Sequence, residues 1–243
     1  MSEMSAEELD QVSDEKLVFG ASDRVELVAT ILMALAAIFT AWAAFQSAKW
    51  SGEQATSFSQ AGAARTESTR FDTRAGQQAG IDVAIFTSWL DALNAELRTG
   101  EIEPLESASE YLPAPGTLSS FYFDRMRPEF KVALEAWLKL DPLQTEGAPP
   151  SPFAMEEYVL ANAVEAARLQ DVADQHAADA AVANQTSDDY VLTVVAFALV
   201  LFFGGISSKL GEKRNRYLTI GAAVLLFSGA TWVLLALPKI MPF

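Results

Sequence analysis

The sequence predicts an all-α fold of three transmembrane helices, with an extramembrane long-helix hairpin and a small aromatic helical cap. Three observations carry this prediction. Val25–Phe45, Val191–Ile206 and Leu218–Leu237 are apolar stretches of 21, 16 and 20 residues, and roughly 20 helical residues at ~1.5 Å each cross a hydrocarbon core of about 30 Å. From Val25 to Leu97 there is no proline and no cluster of loop residues, so the first helix is expected to leave the bilayer and continue. Between the first two spans the composition turns acidic, with 23 carboxylates against 9 basic residues in 50–189.

The resulting partition is an acidic N-terminal tail at 1–24, a first span at 25–49 and an external helical hairpin domain at 50–189 with its cap at about 101–152. A second span follows at 190–208, a basic loop at 209–217, a third span at 218–238 and a short tail at 239–243.

Residues 1–21 read as a frayed tail or a short amphipathic helix. Their negative charge is wrong for the leading region of a signal peptide. Ser22 or Asp23 is placed to cap the first helix, with Glu26 in its first turn. Trp42 and Trp50 sit toward the outer end of the first span, where indoles favour the interface. Ala36, Thr40, Ala44, Ala48, Gly52 and Thr56 recur every fourth residue, and small residues at that spacing let a second helix approach closely. They are the expected helix-packing seam.

Past Trp50 the chain is rich in Ala, Gly, Ser and Thr, which are small enough for close packing but have modest helix preference, so this stretch needs a neighbouring helix. Ile81, Ile85, Phe86, Trp89 and Leu93 then return at helical spacing, and Gly100 followed by Pro104 ends the helix. Prolines and glycines punctuate 101–152. Between them lies an aromatic-rich helical piece that Pro128 divides or restarts, predicting a cap core of Phe121, Phe123, Phe130, Leu134, Trp137 and Leu138. Ser151-Pro152 is expected to open the second long helix, with Glu156 and Glu157 in its first turn.

The loop between spans two and three carries Lys209, Lys213, Arg214 and Arg216 against one acid, and so belongs on the cytoplasmic side. Three spans then place the N-terminus inside and 50–189 in the periplasm or outside the cell.

Composition excludes several chemistries. With no cysteine there is no disulfide, no thiolate nucleophile and no Cys-based metal site, and the single His176 rules out a multi-histidine site. The net charge of −15 disfavours nucleic acid as a partner. Nucleophile elbows, phosphate loops and zinc or calcium motifs are not found, so no catalytic, cofactor-binding or metal residue is assigned. His176 lies among Asp171, Asp174 and Asp179, an arrangement that reads either as a proton- or cation-responsive patch or as an exposed histidine on an acidic face. The exposed-histidine reading is preferred. Glu103, Glu106 and Glu110 suit one helical face, again preferred as solvated charge.

Three stretches resemble a group of uncharacterised bacterial membrane proteins: W-S-G-E-Q-A at Trp50–Ala55, R-P-E-F at Arg127–Phe130 with A-W-L at Ala136–Leu138, and A-P-P-S-P-F-A-M at Ala148–Met155. The resemblance covers about residues 40–160 and implies a bacterial inner-membrane origin. It implies no activity.

The expected function is that of a non-enzymatic integral membrane protein acting by helix–helix association, as a scaffold, accessory subunit or sensor module. The expected partners are the lipid bilayer and a second copy or another membrane protein, with no cofactor. The alternative is a channel-like homo-oligomer whose external hairpins form a vestibule.

Overall fold

The computed structural model describes residues 6–142 and 144–241, and for residues 6–24 the backbone alone. Five helices make up the described fold: α1 (Ala6–Thr99), α2 (Leu118–Arg125), α3 (Pro128–Lys139), α4 (Ala161–Ser207) and α5 (Lys213–Ala236), with single 3₁₀ turns at Ala108–Glu110 and Pro152–Ala154. Three of these helices, α1, α4 and α5, contain windows long and apolar enough to cross a membrane. The fold is all-α, with additional non-membrane helices that carry the aromatic clusters.

Two sequence expectations about helix starts are corrected. α1 begins at Ala6, so Ser22 and Asp23 lie inside the helix and do not cap it. Of the acidic tail, residues 1–5 and the side chains of residues 6–24 lie outside the described residues. Ser151-Pro152 opens only the 3₁₀ turn, and α4 starts at Ala161, so Glu156 and Glu157 precede it. The reason lies in the side chains between: Phe153 and Tyr158 pack onto the aromatic core, and a continuous helix from Pro152 would have to swing one of them away. The remaining boundaries follow local chemistry. α1 ends at Thr99 because Gly100 adopts φ +74°, a conformation that glycine takes without strain. α3 starts on Pro128, whose missing N–H costs nothing at the first helical position.

The chain divides into two compact units. One comprises Met1–Ser59 and His176–Phe243; the other is Gln60–Gln175. In the first, the membrane unit, the inward residues of α1 are Ala29, Leu32, Ala36, Phe39, Ala43, Gln46 and Trp50. Their spacing alternates three and four residues, the 3.5-residue repeat of a helix that stays on one partner face. On α4 the inward residues Ala180, Ala183, Ser187, Tyr190, Val194 and Phe197 repeat the same alternation. Three phenylalanines, one from each span, close the centre: Phe39 stacks on Phe227 with centroids 5.5 Å apart, and Phe197 meets both rings edge-on. Gly204 on α4 passes so close to α1 that an added Cβ would lie 2.7 Å from Cγ of Met33.

In the second, the cap unit, α1 again buries a 3.5-residue stripe: Ala61, Ala64, Ser68, Phe71, Ala75, Gln78, Asp82, Ile85 and Trp89. Alanine and serine dominate its first half, where α4 lies close enough for the Ser68 hydroxyl to donate to the carbonyl of Ala166 at 2.8 Å. Asn162 donates to Gln78 at 2.9 Å. Beyond Asp82 the stripe enlarges, and Trp89 and Leu93 join Met126, Phe130, Leu134, Trp137 and Leu138 in one aromatic core.

Candidate functional site

The stripe of α1 places one carboxylate where an apolar residue would be expected. Asp82 is fully buried. It accepts from Nε of Arg127 at 3.0 Å and from Nη2 at 2.6 Å, and from the Tyr158 hydroxyl at 2.9 Å. A buried carboxylate without such partners would cost several kcal/mol, and a forked guanidinium with a third donor is the geometry that offsets that cost. Each partner is positioned by local sequence. Arg127 stands immediately before α3 because Pro128 starts that helix, and Tyr158 follows the turn at Pro152–Ala154. The bond to Asp82 raises the pKa of Arg127 above its ordinary value. Tyr158 is pushed up to about 12, by burial first and then by its bond to Asp82.

Glu96 is a second buried carboxylate on the same helix. It accepts from the backbone N–H of Ser119 at 2.7 Å and from the Ser119 hydroxyl at 2.5 Å, while the Thr117 side chain accepts from Ser120 N–H. Together they satisfy the free donors at the start of α2 and set negative charge against its positive end.

The indoles of the core are anchored in the same way. Trp89 Nε1 donates to the Tyr111 hydroxyl at 3.0 Å, with the rings nearly perpendicular, and burial raises the pKa of Tyr111. Trp137 Nε1 donates to the carbonyl of Pro149 at 2.7 Å. Phe130 and Phe153 stack 5.1 Å apart at 8°. R-P-E-F, A-W-L and A-P-P-S-P-F-A-M therefore meet at one place: Arg127 and Phe130 from the first, Trp137 from the second, Pro149 and Phe153 from the third. Beside this core is a cavity of about 470 Å³ between Trp89, Leu93, Tyr111, Trp137 and the loop at 104–108, with Glu106 and Asp141 as its charged groups. Asp141 is already engaged, accepting from the N–H of Ala108 at 3.1 Å.

The membrane unit has its own buried polar group. Gln46, fully buried, donates from Nε2 to the carbonyl of Ile240 at 3.1 Å and accepts from the N–H of Ile240 at 3.0 Å. Its amide pairs with one residue's backbone as a neighbouring strand would. Trp50 Nε1 and the Tyr190 hydroxyl both donate to the carbonyl of Pro238, at 3.2 and 2.8 Å, so the segment after α5 is held at two successive points. Ser47, Ser51 and Ser187 share hydroxyl bonds of 2.9–3.1 Å across α1 and α4.

The predicted residues fall as follows. Of the seam, Ala36 is buried and Thr40 half-buried, while Ala44, Ala48, Gly52 and Thr56 are exposed. As the seam within this chain, the row is corrected: a step of four residues turns 40° past a full circle at ~100° per residue, so it walks around the helix, and the close contact follows Ala36 and Ala43 instead. The cap core contains Phe130, Leu134, Trp137 and Leu138, with Phe123 partly buried against it. Phe121 is the exception; it is 46% exposed and lies under the guanidinium of Arg125 at 3.4 Å.

Glu103, Glu106 and Glu110 do not share a helical face, because residues 101–107 are irregular and only Ala108–Glu110 makes a turn. His176 is half-buried on α4. Lys209, Lys213 and Arg214 are exposed and Arg216 half-buried. Lys213, Arg214 and Arg216 lie in the first turn of α5, where the helix dipole disfavours cations.

Asp82, Glu96 and Gln46 went unread in the sequence. Their signal was positional: each lies on the 3.5-residue inward stripe, where a polar side chain requires a partner. Among the described residues no group of three or more His, Asp or Glu is arranged to hold a metal ion. Compared with family models, curated proteins and solved structures, the chain matches none.

Proposed function

We propose that this is a non-enzymatic membrane protein that works by helix–helix association, as a scaffold, accessory subunit or sensor module, with an acidic helical domain on the outer face of a bacterial inner membrane. The observation that carries the reading is the second row of small residues on α1. Ala36 and Ala43 serve the packing within the chain, whereas Ala44, Ala48, Gly52 and Thr56 face outward. An added Cβ at Gly52 meets nothing within 4 Å, so a partner's backbone can approach there. The buried carboxylates support the same reading: Asp82 and Glu96 have their oxygens engaged by neighbours and act as pins of the fold.

Two variants separate association from folding. Ala48→Leu adds bulk to the outward row, and Ala43→Leu adds it to the inward one, where overpacking costs about 1–3 kcal/mol. Crosslinking in native membranes should show Ala48→Leu weakening the oligomer or partner complex with the protomer intact, and Ala43→Leu loosening the protomer. An Ala48→Leu protein with unchanged crosslinks would remove the support for association. A closed ring that conducts ions would favour the vestibule alternative.

A further inference from the structure

We infer that the membrane unit holds one phospholipid with a primary-amine headgroup, of the phosphatidylethanolamine class, in a groove between α4 and α5. The groove has a volume of about 620 Å³. Thr193 and Ala230 form its buried floor, and Leu192 and Leu225 stand exposed along its rim at 66% and 76%. Its walls lie within two of the apolar spans, so it opens onto hydrocarbon, and an apolar groove there fills with an apolar chain.

Length argues for an acyl chain over a second helix. Along α5 the lining runs from Leu225 to Leu237, which at ~1.5 Å per residue is about 18 Å. That is close to one leaflet of a core about 30 Å thick, whereas a partner helix would need both. Gly229 supplies the space: a Cβ built there meets nothing within 4 Å.

The headgroup is read from the polar end. Asp189 is the one charged residue in the lining, and Asp188 precedes it. Asp189 accepts from Gln185 at 3.0 Å, which fixes the carboxylate. Tyr190, next to Asp189, donates to the carbonyl of Pro238, which brings the following Lys239 to the same end; its ammonium is held by the carbonyls of Leu235 and Leu237, and Leu237 is itself part of the lining. A carboxylate and an ammonium together complement a headgroup that carries both an ammonium and a phosphate. Phosphatidylglycerol lacks the amine, and the quaternary ammonium of phosphatidylcholine cannot donate a hydrogen bond to a carboxylate.

The test uses the full chain in nanodiscs of equal phosphatidylethanolamine and phosphatidylglycerol, then of equal phosphatidylethanolamine and phosphatidylcholine. Native mass spectrometry after transfer to detergent reads the retained lipid. The wild-type protein should retain one lipid, enriched in phosphatidylethanolamine by on the order of tenfold, the effect of one charge-assisted hydrogen bond. Gly229→Leu should lose the retained lipid, and Gly229→Ala, a single added methyl, should reduce it by less. Asp189→Asn should keep a lipid but lose the preference. Retention by Gly229→Leu at the wild-type level overturns the groove, and an undiminished preference in Asp189→Asn overturns the headgroup. Loss of a dimer in Gly229→Leu, with lipid retention unchanged, would assign the groove to a second copy of the chain.

Discussion

Asp82 and Arg127 face one another across 45 residues of sequence in a two-pronged pair, at 3.0 and 2.6 Å, with the carboxylate 1% exposed and the guanidinium 26%. Removing the cation leaves a buried charge with one neutral donor. Arg127→Ala should therefore destabilise the cap unit by about 3–5 kcal/mol. Arg127→Lys should recover only part of this, because an ammonium cannot make the forked contact. Urea titration of the full chain in nanodiscs, followed by tryptophan fluorescence, checks the order. An Asp82→Leu, Arg127→Leu double variant should lose less than the sum of its parts, since neither charge is then left alone.

Tyr158 makes the cap alkali-sensitive. Its pKa is raised from an ordinary 10.0 to about 12 in the folded chain. The folded state therefore keeps a proton that the unfolded chain gives up. The associated stability is full below pH 10, falls between pH 10 and about 12, and has gone above the folded value. Tyr158→Phe should lower stability at neutral pH by about 1.5–3 kcal/mol, the value of a hydrogen bond to a charged group, and flatten the pH dependence in that window. Denaturation midpoints between pH 9 and 12, with phenolate absorbance as the titration signal, test both.

Gly204 permits the approach of α4 to α1 inside the membrane unit. Gly204→Ala puts a methyl 2.7 Å from Met33 Cγ, so the pair must separate or the methionine must move, at a cost of about 1–3 kcal/mol. Met33→Ala combined with Gly204→Ala should restore most of the loss. Thermal stability in detergent reads the cycle.

Lys209, Lys213, Arg214 and Arg216 are the basis for the proposed orientation, with the loop that carries them on the cytoplasmic side. Three of these lie in the first turn of α5, where the helix dipole opposes them, so a requirement other than helix stability favours cations there. A reporter active only in the cytoplasm should function when inserted after Gly211 and be silent after Gly147. The opposite pattern would invert the topology.

Sequence reading succeeds at the spans and in the cap core. The spans were legible because twenty apolar residues in a row have few other uses, and the α2–α3 break because Pro128 cannot continue a helix. Phe130, Leu134, Trp137 and Leu138 announced a core through their spacing. The start of α4 was not legible. A serine and proline before two glutamates satisfy every local rule for a helix start, and only the distant pull of Phe130 on Phe153, and of Asp82 on Tyr158, overrides them. As a seam within the chain, the i+4 row misled for a geometric reason: local spacing shows which residues are neighbours on a helix, while a long contact is governed by the slower 3.5-residue repeat. The polar pins depend on pairs separated by 45, 76 and 194 residues, and nothing local encodes those partners.

The longest of these separations places a clock on biosynthesis. Gln46 emerges from the ribosome 194 residues before Ile240, which at ~5–20 residues per second is a delay of roughly 10–40 s. Through that interval the first span is already made, yet its buried amide has neither its donor nor its acceptor. Until Ile240 is made, water is the hydrogen-bond partner left to the amide, and Ile240 then displaces it. The contact that satisfies Gln46 thus forms only after the third span has been made, so the first span waits for the last one to fix its buried amide.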